Sequence, residues 1–217
     1  MNLLVIDRST DTQSVAVVKD GHIIPRVFAG EDARSGAWPV KVRDFLSSCG
    51  VPADGLDKIV VGQGPGSFAG IRAALAFAQG MAIGSKAVVA GLPSPLALTR
   101  DKTKVAVIGD ARRERYWVVL YDGVQTVNDF FLVPKDGLGA AVPDGYAVVT
   151  PDGCRIDSLL RNHYGSRYAG ALTPLAARLA EVAVSNPELL RPEPLPVYLQ
   201  AAVRVTAFSD RQMRVNQ

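Results

Sequence analysis

Apolar and polar positions along the chain fall into two copies of one pattern. The first copy opens with an apolar run, Leu3 to Ile6, that ends in Asp7. A polar turn follows (Arg8, Ser9, Thr10, Asp11, Thr12), and a second apolar run, Ser14 to Val18, closes at Asp20-Gly21. Asp-Gly is a hairpin signal, because glycine takes positive φ without steric penalty. A third strand is predicted over His22 to Ala29. The second copy opens at Lys104 to Ile108 and ends in Asp110. It turns through Ala111, Arg112, Arg113, Glu114 and Arg115, returns over Tyr116 to Leu120, and closes at Asp122-Gly123. Its third strand is predicted over Val127 to Val133. Asp7 and Asp110 stand 103 positions apart and Gly21 and Gly123 stand 102 apart, so the two units superpose almost without slippage.

Helical spacing takes over between the hairpins. Trp38, Val42, Phe45, Leu46 and Cys49 recur on one face of a helix, with Pro39 suited to its first turn. A strand over Lys58 to Val61 leads through a glycine-rich loop into a helix from about Phe68 to Ile83. That helix is apolar or small all round apart from Arg72 and Gln79, which predicts burial on nearly every face. A strand at Ala87 to Ala90 and a short helix near Pro95 to Thr99 complete the first half. The second half adds a strand at Tyr146 to Val149. A helix is predicted from Thr173 as N-cap with Pro174 at its first position, and with Leu175, Leu179 and Val182 as its core stripe. Residues 187–196 read as a proline-rich extended connector, and the polar residues 209–217 as a loosely attached tail. A meander followed by helices and further strands, occurring twice, is the layout of a two-lobed actin-like α/β fold with duplicated mixed five-stranded sheets. The lobes are expected at 1–101, with completion by the C-terminal segment left open, and 102–217.

Composition narrows the function classes. The 217 residues are 48% hydrophobic, as in ordinary globular proteins. A net charge of +3 is too small a bias to argue nucleic-acid binding by itself. Cys49 and Cys154 lack motif spacing and read as reduced thiols of a cytoplasmic protein. Met1 leads straight into a strand without a secretory leader pattern, and the stretch from Ala73 to Gly84 is too short to span a bilayer. The two histidines, His22 and His163, are 141 positions apart, so no His-x-x-x-His metal pair exists, and no nucleophile with a base in reach is legible.

The most distinctive run is Gly62-Gln63-Gly64-Pro65-Gly66-Ser67-Phe68-Ala69-Gly70-Ile71-Arg72. It is not a P-loop, lacking the Lys-Ser/Thr pair, and its glycine spacing is one residue too long for a dinucleotide fingerprint. Two readings stand: a turn that starts a buried helix, or a helix N-terminus whose amides receive an anion, with Ser67 as cap in either case.

This run resembles the signature of the bacterial TsaB (YeaZ) family, Gly-Pro-Gly-Ser-Phe-Thr-Gly-hydrophobic-Arg. Further pieces match in order: Leu4-Val5-Ile6-Asp7-x-Ser9-Thr10, Gly91 to Leu98, Asp110 to Tyr116, and Pro196-Val197-Tyr198-Leu199. The resemblance implies a non-catalytic scaffold subunit that binds TsaD in the complex transferring a threonylcarbamoyl group to tRNA adenosine beside the anticodon. TsaE joins that complex, tRNA is met only through it, and the same surface supports self-association. It further implies a degenerate nucleotide cleft at Asp7, Ser9, Thr10 and Asp110. The expected partner surface comprises Trp38, Val42, Phe45, Gly64, Gly66, Ser67, Phe68, Gly70, Arg72 and Gln79. No catalytic residue, metal or cofactor is expected in the chain itself; ATP or ADP at the partner interface stays an open alternative. Four departures stand out. Arg8 replaces threonine in the first turn, where it either fills the cleft or binds an anion, and Ala69 replaces threonine. Gln200 replaces arginine, and Arg34-Ser35-Gly36-Ala37-Trp38-Pro39 replaces a His-Ser-Glu run. Trp38 is either an interface anchor or a core residue. The basic residues Arg100, Lys102, Lys104, Arg112, Arg113 and Arg115 gather around the second hairpin, as a solvated rim or a tRNA-facing patch. An active phosphotransferase of the same fold, with Asp7 and Asp110 around a metal–nucleotide, is the competing function.

Overall fold

The computed structural model describes residues 1–30, 36–99 and 103–199. Strand β1 (Leu3–Asp7) carries apolar residues at successive positions because both of its faces are covered. Leu3 and Val5 join one core while Leu4 and Ile6 join another. It pairs antiparallel with β2 (Gln13–Lys19), which pairs with β3 (His22–Phe28). On its other side β1 runs parallel to β4 (Lys58–Gly62), and β4 runs parallel to β5 (Val88–Leu92). The second half repeats this arrangement. Strand β6 (Lys104–Asp110) pairs antiparallel with β7 (Arg115–Asp122) and parallel with β10 (Ala147–Thr150), which runs parallel to β11 (Tyr168–Ala171).

Each sheet has six strands rather than five. In the second sheet the predicted third strand is broken into β8 (Gln125–Thr126) and β9 (Phe131–Pro134), both paired with β7. The break has a local cause: the side-chain oxygen of Asn128 accepts the Leu120 N–H at 2.9 Å, taking a ladder position that a backbone carbonyl would fill. In the first sheet the extra strand is β12 (Arg191–Pro192), which comes from the C-terminal segment and pairs antiparallel with β5. The predicted extended connector is therefore partly a strand, preceded by a single 3-10 turn over Pro187–Leu189.

Helices α1 (Trp38–Ser48) and α2 (Phe68–Ser85) cover one face of the first sheet, burying Trp38, Val42, Phe45 and Leu46 from α1. The prediction of all-round burial for α2 is corrected. Gly70, Ile71, Ala74, Leu75 and Ala78 face the sheet, while Ala69, Ala73, Ala76, Gly80 and Ile83 face outward, Ile83 being 87% exposed. Alanine and glycine suit a buried and an exposed helix face equally well, so their run carried no sidedness. Short α3 (Leu138–Ala141) and α4 (Gly153–Tyr164) cover the second sheet through Leu138, Ile156, Leu160 and Tyr164. Helix α4 was not predicted.

The last helix, α5 (Ala176–Ser185), lies in the core between the two sheets, with Ala176, Leu179, Ala180, Val182 and Ala183 all buried. It starts two residues later than predicted, at Ala176 rather than Pro174, because its cap is not local. Leu175 occupies the N-cap position without a capping bond, and Ser14 on β2 accepts the Ala176 N–H at 2.8 Å. Leu175 is 37% exposed and leaves the predicted core stripe. The C-terminal segment thus lays a helix and a strand against the first sheet. The expected lobe boundary at 101/102 lies outside the described residues.

Candidate functional site

The two acidic hairpin turns open on a single cleft of about 750 Å³. The first turn contributes Ser9, Thr10, Asp11 and Thr12, and the second contributes Asp110, Ala111 and Arg112. Two strand-to-helix loops close the sides: Pro65 to Phe68 before α2, and Pro151 to Arg155 at the start of α4. Val197, Tyr198 and Leu199 form the rim beside Phe68.

Asp7 is not part of that cleft surface, which corrects its predicted place there. It is fully buried, and its Oδ1 accepts the Ser9 N–H at 2.9 Å and the Ser9 hydroxyl at 2.6 Å. Burial pushes its carboxyl up, against the pull of the Ser9 hydroxyl, the Ser94 hydroxyl and the Ser9 N–H. The carboxyl therefore braces the turn from inside. A Cβ on Gly62 would stand 2.0 Å from Asp7 Oδ2, so the neighbouring strand needs its glycine for this carboxyl to fit.

Asp110 does reach the cleft, but its charge is taken. Its Oδ1 accepts the Arg112 N–H at 2.8 Å, and its Oδ2 lies 3.4 Å from Arg155 and 3.5 Å from Arg112. Arg155 also pairs with Asp152 at 2.9 Å, and Asp152 accepts the Asp110 N–H at 2.8 Å. Burial pushes the Asp152 carboxyl up, while the Asp110 N–H and Arg155 draw it back down. Asp152 and Arg155 were missed from sequence. A usable signal was the repeat itself, since Pro151-Asp152-Gly153 follows β10 as Pro65-Gly66-Ser67 follows β4.

A metal-bound nucleotide, which the fold implies between the acidic turns, does not fit these residues. One carboxylate is enclosed in the protein, and the other is neutralised by two guanidinium groups. Among the described residues no three His, Cys, Asp or Glu side chains converge on a metal-sized position. His22 and His163 are both exposed, on β3 and near the end of α4. No described helix is long and apolar enough to cross a membrane.

The glycine-rich loop is seated on the first turn. The Ser67 N–H donates to the Ser9 carbonyl at 2.7 Å. Cβ atoms on Gly66 and Gly70 would stand 2.1 Å from the Ser9 oxygen and 2.2 Å from the Arg8 oxygen, so only glycine permits this approach. Ser67 caps α2 as predicted, accepting the Gly70 N–H at 3.3 Å. Gln63 anchors the C-terminal segment across the same loop: its Nε2 donates to Leu195 O at 2.8 Å, and its backbone carbonyl accepts the Val197 N–H at 2.9 Å.

The expected partner residues divide in two. Trp38 is 1% exposed, stacked edge-on against Phe77 with ring centroids 4.9 Å apart, and Val42 and Phe45 are buried beside it. These three are core residues, a correction to their place on a partner surface; Gly64 and Gly70 are also buried. Arg8 lies with its guanidinium 4.3 Å over the Trp38 ring, so it neither fills the cleft nor faces it for an anion. Gly66, Ser67, Phe68, Arg72 and Gln79 are exposed. Phe68 packs against Tyr198 at 5.5 Å and beneath the Arg72 guanidinium at 4.9 Å, both rings remaining 56% exposed. Arg34, Ser35, Arg100, Lys102, Gln200 and the tail at 209–217 lie outside the described residues.

The family model described as TsaD, tRNA N6-adenosine threonylcarbamoyltransferase, matches residues 5–186. The chain is 29% identical over 124 residues to the tRNA threonylcarbamoyladenosine biosynthesis protein TsaB of Escherichia coli K12, covering 54% of each. It is 28% identical over 127 residues to TsaB of Bacillus subtilis 168, covering 56% of this chain and 55% of that one. The chain thus spans about half the length of the curated relatives it matches. A solved structure, YeaZ from Pseudomonas aeruginosa, superposes with a TM-score of 0.73 at 24% identity, over 91% of this chain and 99% of that one. That likeness speaks for an actin-like fold.

Proposed function

The chain belongs to the TsaB/YeaZ family, built on the TsaD-type domain, and from that premise we propose that it is a non-catalytic scaffold subunit. In this reading it binds TsaD within the cytoplasmic machinery, TsaE included, that places a threonylcarbamoyl group on a tRNA adenosine beside the anticodon. The observation that carries the reading is the outward face of α2. Ala69, Ala73, Ala76 and Gly80 form a smooth stripe along an exposed helix, with Ile83 at one end and Phe68 with Arg72 at the other. A stripe of small residues lets a second helix approach closely, and an exposed apolar stripe of this length is an expected docking face on a soluble domain. The same face suits a second copy of the chain when TsaD is absent.

The cleft supports the non-catalytic half of the reading. Asp7 braces a turn from inside the protein and Asp110 is ion-paired to two arginines, so neither stands ready to hold a metal or accept a proton. Coexpression with TsaD from the same organism, followed by size exclusion, tests the assignment. The expected result is a heterodimer at micromolar concentration that Ala76→Arg abolishes. The urea midpoint of the isolated chain should be unchanged within error, because Ala76 is exposed. Separate elution of the unmodified proteins overturns the reading.

A further inference from the structure

The turn between β6 and β7 is strained where no core packing requires it. Arg112, Arg113 and Glu114 stand at φ of 68°, 53° and 57°, three successive exposed residues in the left-handed region. For residues with a Cβ this conformation costs roughly 1–2 kcal/mol each. The equivalent turn of the first copy, residues 8–12, has no residue at positive φ. The second turn is closed by the Ala111 N–H on Arg115 O at 2.9 Å, the Arg115 N–H on Arg112 O at 3.1 Å, and the Arg112 N–H on Asp110. Strain maintained in this way usually serves a contact elsewhere.

Its effect is to splay the arginines. Arg112 turns to the cleft and the Asp110–Arg155–Asp152 network. Arg113 and Arg115 turn to a separate shallow groove of about 770 Å³, shared with Lys135, His163, Glu114 and Asp136. Arg113, Arg115 and Lys135 are exposed and make no ion pair among the described residues, so three cations and an imidazole face solvent against two carboxylates. Lys104, adjacent in sequence to this cluster, sits at the far end of β6, roughly 20 Å away at 3.3 Å per residue. The cluster that matters is thus assembled by the fold and draws in Lys135 from beyond β9.

We propose that this groove is where the chain itself touches RNA, with Arg113, Arg115 and Lys135 each meeting a phosphate of a tRNA backbone. Guanidinium forks match phosphate oxygens in pairs, and a shallow groove with separated cations suits a repeating polyanion. The proposal rests on the scaffold reading for the identity of the RNA and refines it, since tRNA would then be met directly and not only through the partner.

The test uses fluorescence anisotropy with an unmodified transfer RNA transcript, on the isolated chain and on its assembly with TsaD, between about 50 and 200 mM salt. Wild type is compared with a variant carrying Arg113→Ala, Arg115→Ala and Lys135→Ala. Loss of three phosphate contacts should weaken binding about tenfold at the low end and flatten the slope of log K against log salt by about two. Arg113→Lys together with Arg115→Lys, with Lys135 kept, should retain the wild-type slope. Equal affinity and slope for wild type and the alanine variant, with equal urea midpoints, overturns the proposal. Tighter competition by polyglutamate than by RNA also overturns it, assigning the groove to an acidic protein. Co-elution with TsaD is read separately: its failure in wild type sinks the scaffold assignment, while the anisotropy of the isolated chain still decides this one.

Discussion

Replacing Ser14 by alanine removes one oxygen and should loosen the junction between the two halves of the chain. Ser14 is 2% exposed on β2, and its hydroxyl accepts the N–H of Ala176, itself fully buried at the first position of α5. No side chain at the N-cap position of α5 can substitute, because Leu175 has no capping atom. The variant leaves a buried donor with no partner, which costs about 1–3 kcal/mol. Loss of an N-cap hydroxyl costs about 0.5–2 kcal/mol. Both figures describe the same bond and do not add, so the expected loss is about 2 kcal/mol. For a chain of this length each kcal/mol lowers Tm by about 2–4 °C, giving a fall of about 4–8 °C. A second cap supplies the control. Ser67 caps α2 through Gly70 at 3.3 Å, but it is exposed, so water replaces the lost hydroxyl in Ser67→Ala and the loss should stay near 0.5 kcal/mol. Urea denaturation at neutral pH gives both values from midpoints and slopes. If Ser14→Ala costs no more than Ser67→Ala, the long-range cap does not hold α5 in the core.

Three other perturbations follow from the same geometry. Asp7→Asn keeps the acceptor for Ser9 and removes a buried charge. Because burial raises the folded pKa of Asp7, wild type loses stability as pH rises through that pKa. The variant should therefore be more stable than wild type at neutral pH, with the gap closing on acidification, and a gap that widens towards acid would contradict this. Gly66→Ala puts a Cβ about 2.1 Å from the Ser9 carbonyl and should lower stability by about 1–3 kcal/mol, seen as an earlier urea midpoint; a neutral result means the loop is not seated on the turn. Arg113→Gly relieves one left-handed residue and should raise Tm, by up to about 1 kcal/mol of stability, while weakening RNA binding in the anisotropy assay; a lower Tm argues against strain in the turn.

Much of the fold was legible because local signals agreed with tertiary demands. Both Asp-Gly turns, the apolar runs of β1 and β6, and the Trp38 to Leu46 stripe could be read position by position. The losses have separate causes. Helix α4 carries its stripe on three residues, Ile156, Leu160 and Tyr164, in a polar segment too sparse to stand out. The start of α5 and the break at Asn128 depend on partners distant in sequence or on a side chain imitating backbone. At the candidate site, residue types were legible but directions were not. Asp7 and Asp110 occupy equivalent positions in the two copies, yet one points inward to Ser9 and the other outward to Arg155. Trp38 was open between core and surface, and Phe77 together with Arg8 accounts for its burial.

The unequal fate of the two turns bears on how such a chain could work. In a duplicated nucleotide fold both turns should stay free to grip phosphate from opposite sides. Here the first turn is fixed under the glycine-rich loop through the Ser67–Ser9 bond, and that loop also begins α2, the helix with the exposed apolar face. The second turn is instead held in a strained form that sends Arg112 into the cleft and Arg113 away from it. In the scaffold reading, one turn thus stiffens the proposed docking helix and the other displays charge. A cleft whose walls are locked in this way resists the closure that phosphoryl transfer needs, whereas a rigid body with two separate faces is what bridging a protein partner and an RNA requires. If the cleft were catalytic, freeing Asp110 by Arg112→Ala together with Arg155→Ala should create or raise Mg-ATP binding measured by calorimetry. The scaffold reading expects none, together with a stability loss of about 1 kcal/mol from the broken Asp110–Arg155–Asp152 network, and tight binding with turnover would refute it.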